Sequence, residues 1–432
     1  MDKNRIHLFR RRRETDKRYR RYVRCLTVIL LSVVMLCAGC TGKDAVGSSA
    51  GGSGEQTAAA DSRQNEAGSS TEAAPKTETA ATASRSWNNM SPVSSMDLLY
   101  ADQFSVDYYE NDISLITIGD TDQFLLLPEG MSAPVGLPDS IKILQKPVKN
   151  IYLVATSAMD DFIHLDAMDL IALSGTKDTG WYLPEARTAM EEGKIAYAGK
   201  YSAPDYEKIL SSDCGLAVES TMIYHSPEVK EQLEKLGIPV FVERSSYEEH
   251  PLGRMEWIRL YGVLTGKEAE AEQVFRENMD ALSDVLDMEP SGKTAAFFYV
   301  TNSGSVNVRK NGDYIAKMIA LAGGTYIPGN AGSDENALST MNMDFESFYA
   351  AAKDADVLIY NSTIDGELTA IDELCAKNQL FADFKAVKEG NVWCTGKNMF
   401  QETMGLGDMI RDMNAVFADD TEYSFTYLHQ LK

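Results

Sequence analysis

Cysteine and histidine are scarce in this chain of 432 residues, which has six cysteines and five histidines. Beyond residue 40 only Cys214, Cys375 and Cys394 remain, and they form neither a Cys-x-x-Cys pair nor the spacing of a zinc site. Three thiols cannot all pair within one chain. A Cys375–Cys394 disulfide and buried free thiols are both compatible with this sequence.

Motifs for catalysis are also missing. Gly292-Lys293-Thr294 is the one Gly-Lys pair followed by serine or threonine, and Asp287 stands where a phosphate-binding loop needs its first glycine. Gly-x-Ser-x-Gly occurs only at Gly47-Ser48-Ser49-Ala50-Gly51, within a Gly- and Ser-rich stretch and not between a strand and a helix, so it is no turn for a nucleophilic serine. With so few imidazoles for acid–base work near neutral pH, we expect a protein that is not an enzyme.

Positive charge outweighs negative charge at the N-terminus, and the rest of the chain is strongly acidic. Residues 1–39 hold eleven Lys or Arg and three Asp or Glu, which gives this segment a net charge of +8. The whole chain has a net charge of −23, so the rest of it carries −31. Binding to nucleic acid needs clustered cations that neutralise phosphates, which this acidic body lacks. The same charge disfavours close contact with anionic lipid.

The first forty residues have the pattern of a bacterial lipoprotein signal. A basic head is followed by an apolar run from Cys25 to Ala38 and by Leu36-Cys37-Ala38-Gly39-Cys40. This pattern predicts a signal peptide over 1–39, a lipid on Cys40 and an extracytoplasmic body anchored to the membrane. Cys37 occupies a position where leucine is usual, so an uncleaved anchor is the alternative.

A tether is predicted over 40–90. Its composition is dominated by Gly, Ser, Ala, Thr and Glu, and Val46 is the only apolar residue larger than alanine between Thr41 and Ser86. Such a segment cannot bury enough apolar surface to offset the entropy of ordering, so we expect a flexible stalk.

The segment 91–250 is predicted to form an N-terminal α/β lobe. Apolar and polar residues alternate over Phe104–Tyr109 and Ile113–Ile118, which predicts a β-hairpin, and Gln123–Leu127 is a candidate third strand. The role of 91–145 stays open. From Pro147 onwards short apolar strands alternate with helical patterns, one of which runs from Ile163 through Leu173. That alternation indicates a mainly parallel sheet.

The segment 251–288 shows no strand pattern. Its apolar residues follow helical spacing with one interruption at Thr265-Gly266, which predicts a helical connection. Strands and helices alternate again over 289–432, which predicts a second α/β lobe. The fold class is therefore α/β, with two lobes joined by a long rigid helix.

These residues resemble the substrate-binding lipoproteins of ABC importers for iron chelates, haem and vitamin B12. The resemblance covers roughly 148–416 and rests on five phrases in a characteristic order and spacing. They are Pro147-Val148-Lys149-Asn150-Ile151, Leu233-Glu234-Lys235-Leu236-Gly237-Ile238-Pro239-Val240, Tyr261-Gly262-Val263-Leu264-Thr265-Gly266-Lys267-Glu268-Ala269, Ile319-Ala320-Leu321-Ala322-Gly323-Gly324 and Ala355-Asp356-Val357-Leu358-Ile359.

The resemblance implies a class III periplasmic-binding fold and a monomer that passes a siderophore, haem or corrinoid to an importer permease. It also implies that one glutamate on each lobe docks to the permease, and Glu228 and Glu346 stand where the matching helices begin. No cofactor of the protein's own is implied. The first loop, Thr156-Ser157-Ala158-Met159-Asp160, departs from the family's Pro- and Ser-rich pattern.

Candidate ligand contacts follow from the rule that ligands of open α/β sheets bind beyond the carboxyl ends of the strands. Aromatic walls and a cation suit a flat metal chelate that carries acidic groups. The residues selected in this way are Ser157, Met159, Asp160, Trp181, Tyr182, Glu219, Ser220, Tyr224, Asn302, Arg309, Tyr360 and Asn361.

Two other functions stay open at this point. His164 lies one helical turn from Asp160, and His225 and His250 fall in the same lobe, so a receptor for bare zinc or manganese ions is one alternative. The second lobe offers only His429. A surface lipoprotein without a transport role is the other alternative.

Overall fold

The computed structural model of the chain describes residues 85–329 and 340–432. The predicted signal peptide 1–39, the lipidation site Cys40 and the tether as far as residue 84 lie outside the described residues. None of the helices within the described ranges has both the length and the apolar character that a membrane span requires.

A five-stranded sheet opens the described part of the chain. The predicted hairpin is confirmed, since β2 (Phe104–Tyr109) pairs antiparallel with β3 (Ile113–Ile118). The sheet order is β1-β2-β3-β4-β5, and β5 runs parallel to β4. One face packs on the main core and the other on a small cluster around Leu125. The remaining strands are β1 (Ser94–Ser95), β4 (Asp122–Pro128) and β5 (Ile141–Lys146).

The N-terminal lobe is built on a parallel sheet in the order β12-β11-β6-β7-β8. Its strands are β6 (Ile151–Leu153), β7 (Ile171–Ser174), β8 (Ala196–Tyr197), β11 (Leu216–Ser220) and β12 (Val240–Glu243), with a small hairpin of β9 (Gly199–Lys200) and β10 (Ala203–Pro204). Its helices are α1 (Ala158–His164), α2 (Pro184–Glu191), α3 (Tyr206–Ser211) and α4 (Pro227–Lys235).

The prediction of a helix that runs from Ile163 through Leu173 is wrong. Helix α1 ends at His164, Asp166 adopts a left-handed backbone conformation with φ of 48°, and the strand β7 begins at Ile171. Both faces of a central parallel strand are covered, so its apolar residues need not alternate. Such a short apolar run cannot be distinguished from a helix by periodicity.

The connection between the lobes consists of three helices and not of one long helix. They are α5 (Pro251–Met255), α6 (Trp257–Thr265) and α7 (Glu268–Leu286). Gly266 ends α6 in the left-handed conformation, with φ of 75°, so α7 starts in a new direction. Only α7, about 28 Å long at 1.5 Å per residue, has the dimensions of a strut. Helix α6 is almost wholly buried.

The C-terminal lobe has a mixed sheet whose centre is parallel. The order is β16-β14-β13-β17-β18-β19, with β15 also pairing with β13. Its strands are β13 (Thr294–Val300), β14 (Val306–Arg309), β15 (Thr325–Ile327), β16 (Thr340–Met343), β17 (Val357–Tyr360), β18 (Val392–Thr395) and β19 (Leu428–Gln430). Its helices are α8 (Tyr314–Leu321), α9 (Phe345–Ala352), α10 (Ser362–Asp365), α11 (Ile371–Lys377), α12 (Lys385–Lys388) and α13 (Leu406–Ala418).

One apolar core extends from the first lobe into the second. It includes Leu252 and Ile258 of the connecting helices together with Ile315 and Met409 of the second lobe. The lobes are therefore held by shared packing as well as by the strut. Because close-packed cores transmit displacement rather than absorb it, we expect small movements between the lobes.

The three cysteines within the described residues, Cys214, Cys375 and Cys394, are free thiols in this structure. Burial raises the pKa of Cys394 to about 11, so this thiol stays protonated at neutral pH.

Candidate functional site

The carboxyl ends of the two parallel sheets meet where the lobes touch. Thr403, in the loop after β18, donates its hydroxyl to the carbonyl of Ser157, in the loop after β6, at 3.0 Å. The backbone N–H of Met404 donates to the Asp160 carboxylate at 2.7 Å. The loops that follow the strands of both lobes therefore border a common cleft, where a ligand of an open α/β sheet is expected.

A single amide joins the two rims of this cleft. The side-chain oxygen of Gln401 accepts the backbone N–H of Tyr182 at 2.7 Å, and its nitrogen donates to the carbonyl of Gly180 at 2.9 Å. This pair of hydrogen bonds holds the 180–182 loop of the first lobe against the second lobe. The Tyr182 side chain is 44% exposed beside this contact, so it can take part in a ligand wall.

Two arginines, one before and one after the connecting helix α7, lie close to a common aromatic ring. The guanidinium of Arg254, on α5, stacks on the Tyr314 ring at 3.9 Å, and that of Arg309, on β14, lies 5.9 Å from the same ring. Arg309 also lies 5.7 Å from the Phe400 ring. One cation comes from each side of the interface between the lobes, since Arg254 precedes the strut and Arg309 follows it.

The charges of these arginines are not equally compensated. The Asp313 carboxylate pairs with Arg309 at 3.4 Å, whereas the guanidinium of Arg254 forms no hydrogen bond or ion pair with any residue within the described ranges. Burial raises the pKa of Asp313, and the two arginines lower it in part. A half-buried guanidinium with unused donors on an aromatic face suits an acidic ligand group.

The accessible members of the predicted contact set are consistent with this cleft. Tyr224 is 45% exposed and its hydroxyl accepts a hydrogen bond from Arg244 at 3.1 Å. Ser157 and Ser220 are half-buried, and Asn302 is exposed in the turn between β13 and β14. Together with Tyr182 and Arg309, these residues stay predicted ligand contacts.

Four of the predicted contacts are corrected by their burial. Met159, Trp181, Glu219 and Tyr360 have no exposed surface, so none of them can touch a ligand in this arrangement. Trp181 donates its indole N–H to Ser174 at 3.3 Å, and Tyr360 donates its hydroxyl to Asp365 at 2.8 Å. These large side chains belong to the core because the strand-end rule selects positions and not side-chain directions.

Two further predicted contacts have structural partners. The Asp160 carboxylate, besides accepting from Met404, lies 3.6 Å from His164, and burial raises its pKa to about 6. Asn361 accepts the backbone N–H of Thr363 at 3.1 Å and caps α10. Both side chains are nearly buried, so we assign them to holding the cleft edges in place.

Arg254, Phe400 and Gln401 were missed by the sequence reasoning. The candidates predicted from the sequence by strand ends come from the loops after β6, β11, β13 and β17, and none comes from the loops after β12 and β18. The loop after β12 leads to Arg254 on α5, and the loop after β18 contains Phe400 and Gln401. Applying the rule to every strand would have found them.

A second concavity lies elsewhere on the first lobe. It is a groove of about 740 Å³ whose lining includes Ile171, Pro184, Ala189 and Ile195. Ile171 is the first residue of β7, so this groove lies at the amino ends of the strands. It is therefore not the cleft between the lobes.

Histidines do not converge. Within residues 85–329 and 340–432 no three His, Cys, Asp or Glu side chains are arranged to hold a metal ion. His250 stacks on Tyr100 at 4.9 Å and accepts the backbone N–H of Leu252, while His429 binds the carbonyl of Leu368. Each of these two rings has a local partner.

A pair of α/β lobes whose strand ends face each other across a cleft defines a two-lobe substrate-binding protein. Residues 154–399, more than half of the chain, match the model of the periplasmic binding protein family. The chain belongs to this family of substrate-binding transport proteins, and the resemblance seen in the sequence is confirmed at that level.

Known relatives extend the comparison. Two lipoproteins of Methanocaldococcus jannaschii, named as uncharacterized, are each 26% identical to this chain, over 334 and 308 residues. The first alignment covers 70% of this chain and 77% of the relative, and the second 68% and 75%.

Solved structures share the fold. A periplasmic heme-binding protein of Vibrio cholerae has a TM-score of 0.50 at 15% identity, covering 61% of this chain and 97% of that one. A TroA-like periplasmic binding protein of Veillonella parvula has a TM-score of 0.50 at 14% identity, covering 66% and 95%.

Proposed function

We propose that this protein captures a ferric chelate, haem or corrinoid between its two lobes and delivers it to the permease of an ABC importer. The observation that carries the proposal is that Arg254 and Arg309 flank the Tyr314 ring. Membership of the periplasmic binding protein family and the heme-binding protein among the structures of the same fold support it.

The chemistry of the cleft favours a flat ligand with acidic groups. Aromatic side chains at Tyr182, Tyr224 and Phe400 offer broad apolar surface. The guanidinium of Arg254 can donate two parallel hydrogen bonds to a carboxylate or hydroxamate. A bare metal ion needs neither an apolar aromatic surface nor a guanidinium. The receptor for zinc or manganese is therefore the alternative that the experiment has to exclude.

A melting-temperature screen tests the proposal. Ferric hydroxamates, haem and cobalamin are added to the purified protein, and a true ligand at one hundred times its Kd should add about 2.7 kcal/mol to the free energy of unfolding. We expect Arg254→Ala and Arg309→Ala each to weaken binding by roughly ten- to one-hundredfold, because each removes charged hydrogen bonds worth about 1.5–3 kcal/mol.

Arg276→Ala is the matched control. Arg276 lies on the exposed face of α7 and pairs only with Glu272 within the described residues, so its removal should leave ligand binding unchanged. If zinc or manganese alone stabilises the protein, and the purified protein contains stoichiometric metal, the ligand is a bare metal ion and not a chelate. No stabilisation by any of these compounds would favour a surface lipoprotein without a transport role.

Docking to the permease is assigned to Glu228 and Glu346. Both carboxylates are exposed in the first turns of α4 and α9, one on each lobe. Replacing both with alanine should leave the ligand-induced rise in Tm unchanged and reduce ligand uptake by at least tenfold. Glu231→Ala on the solvent side of α4 is the control, and undiminished uptake by the double variant would show that both glutamates serve only the helix dipole.

Anchoring completes the proposal. The relatives named as lipoproteins and the family itself support an extracytoplasmic body held by a lipid on Cys40. Cys40→Ala should release the protein from the membrane fraction, as measured by fractionation with and without detergent. A variant that remains membrane-bound would favour the uncleaved anchor.

A further inference from the structure

The segment before the first sheet is fixed to the stretch that follows β12. The backbone N–H groups of five consecutive residues, 99–103, donate to two buried glutamates. Glu256 accepts the first three, and Glu248 accepts the other two, the last of them at 3.0 Å from the Gln103 nitrogen. The position of Gln103 relative to the stretch 244–256 is therefore set by buried hydrogen bonds to charged groups.

The Gln103 side chain holds the guanidinium of Arg244. Arg244 is the first residue after β12, so it lies beyond the carboxyl end of that strand. The amide oxygen of Gln103 accepts hydrogen bonds from Nε of Arg244 at 3.2 Å and from its Nη2 at 3.0 Å. The amide nitrogen donates to Asp102 at 2.8 Å, and the backbone carbonyl of Gln103 accepts the N–H of Gly119 at 2.7 Å. Gln103 is thus held at its side chain and its backbone, and its oxygen fixes the plane of the guanidinium.

The same guanidinium contacts two tyrosines at the strand ends. It stacks on the Tyr247 ring at 4.5 Å, and its Nη1 atom donates to the Tyr224 hydroxyl at 3.1 Å. Tyr224 lies in the turn after β11 and is 45% exposed. A guanidinium that is both stacked and hydrogen-bonded has little freedom to move. Arg244 and Tyr224 therefore form one preorganised edge of the first lobe.

The charge of Arg244 is not neutralised by a carboxylate. Its hydrogen bonds go to the oxygen atoms of an amide and a hydroxyl, and no Asp or Glu of the described residues forms an ion pair with it. A guanidinium has more N–H groups than these bonds use, and Arg244 is only half-buried, so a ligand can reach it. The chain beyond residue 39 carries a net charge of −31, and a cation left unpaired at the strand ends of so acidic a body suits an acidic group of a ligand.

We infer that Arg244 is a further ligand-binding residue of the cleft and that Gln103 is the residue that positions it. The inference rests on the proposed function and deepens it, because a guanidinium beside an exposed tyrosine selects ligands with an acidic group over neutral ligands of the same size. It also assigns a role to the N-terminal sheet. The family model matches residues 154–399, and Gln103 lies before that range, yet it sets the geometry of a residue within it.

Ligand affinity and its salt dependence test the role of Arg244. Calorimetry gives the Kd of the full chain for the compound, among ferric hydroxamates, haem and cobalamin, that binds the wild type. Arg244→Gln should weaken binding by roughly ten- to one-hundredfold, the effect of losing a hydrogen bond to a charged group. It should also flatten the dependence of Kd on NaCl between about 50 and 500 mM, which a loss of packing alone would not do. Arg276→Gln, on the exposed face of α7, is the control and should change neither quantity.

Two substitutions of Gln103 separate the position of the guanidinium from its charge. Gln103→Leu removes the acceptor and leaves Arg244 unchanged, so it should weaken binding about two- to tenfold and accelerate amide hydrogen exchange at 244–247. Gln103→Glu keeps an acceptor but pairs with the guanidinium, so it should also weaken binding, while 244–247 stays as protected as in the wild type. Gln123→Leu is the matched control, because Gln123 is a half-buried glutamine of the same sheet whose side chain donates to Thr117.

The outcomes distinguish this inference from the transport proposal. If the wild type binds a compound and Arg244→Gln binds it equally well at every salt concentration, Arg244 is not a ligand contact and only this inference falls. Wild-type affinity in both Gln103 variants would remove the positioning role of Gln103. Should Arg244→Gln fail to fold, Gln103→Glu decides, because it neutralises the same charge and leaves Arg244 in place. If none of the compounds binds the wild type, the proposed function fails and the inference fails with it.

Discussion

Replacing Glu256 with alanine is expected to lower the free energy of unfolding by about 3–5 kcal/mol, the range for removing one partner of a buried, hydrogen-bonded charge. Glu256 has no exposed surface, and its two oxygens accept the backbone N–H groups of Leu99 at 2.7 Å, Tyr100 at 2.7 Å and Ala101 at 2.8 Å. Arg259 donates to the same carboxylate at 3.0 Å. Without Glu256 these donors lose an acceptor in a place that water cannot readily enter.

Urea denaturation measures the loss. Glu277→Ala is the control, since Glu277 is exposed on α7 and its removal should change stability by no more than about 0.5 kcal/mol. Glu256→Gln should also destabilise the fold. Both carboxylate oxygens of Glu256 accept N–H groups, and the glutamine NH2 would place a donor against one of these N–H donors. Amide exchange at 99–101 should accelerate in both Glu256 variants. A loss below about 1 kcal/mol would show that the segment before the first sheet is held by other contacts.

Glu219→Gln is expected to change how stability depends on pH. Burial raises the pKa of Glu219 from 4.5 to about 8, and neither of its oxygens has a partner within the described residues. The folded protein therefore keeps a proton that the unfolded chain has released. The stability from this proton is fully present below pH 4.5 and is lost as the pH rises to about 8, by roughly 5 kcal/mol in all.

The comparison of wild type and variant isolates this group. Asp161 and Glu243 also have raised pKa values and contribute with the same sign, so only the difference between the two proteins reports on Glu219. Urea denaturation at pH 5, 7 and 9 should show Glu219→Gln gaining on wild type as the pH rises. Glu231→Gln, an exposed substitution on α4, should run parallel to wild type. Parallel curves for Glu219→Gln would mean that Glu219 is ionised in the fold.

These carboxylates illustrate what the sequence could not reveal. Glu219 and Glu256 look alike in the sequence. Among the described residues, however, the Glu219 side chain has no hydrogen-bond partner, and Glu256 accepts three backbone N–H groups from residues more than 150 positions away. Hydrogen bonds of that kind depend on how distant segments are brought together. Similarly, the strand-end rule found Tyr182 and Tyr224 on the surface but also Trp181 and Tyr360, which point into the core.

Local pattern by itself determined most of the secondary structure, because alternation and helical spacing record which side of each element is buried. It identified the hairpin of β2 and β3, the strand β13 and the helix α9. Five short phrases in a characteristic order and spacing indicated the family, which the family model confirms. The sequence also indicated the interruption of the connecting helix at Thr265-Gly266, where Gly266 ends α6, whereas the second interruption, at Glu256, appears only in the structure. Only that structure decided that Arg254 and Arg309 share one aromatic ring, since their meeting depends on how two lobes pack and not on any run of neighbouring residues.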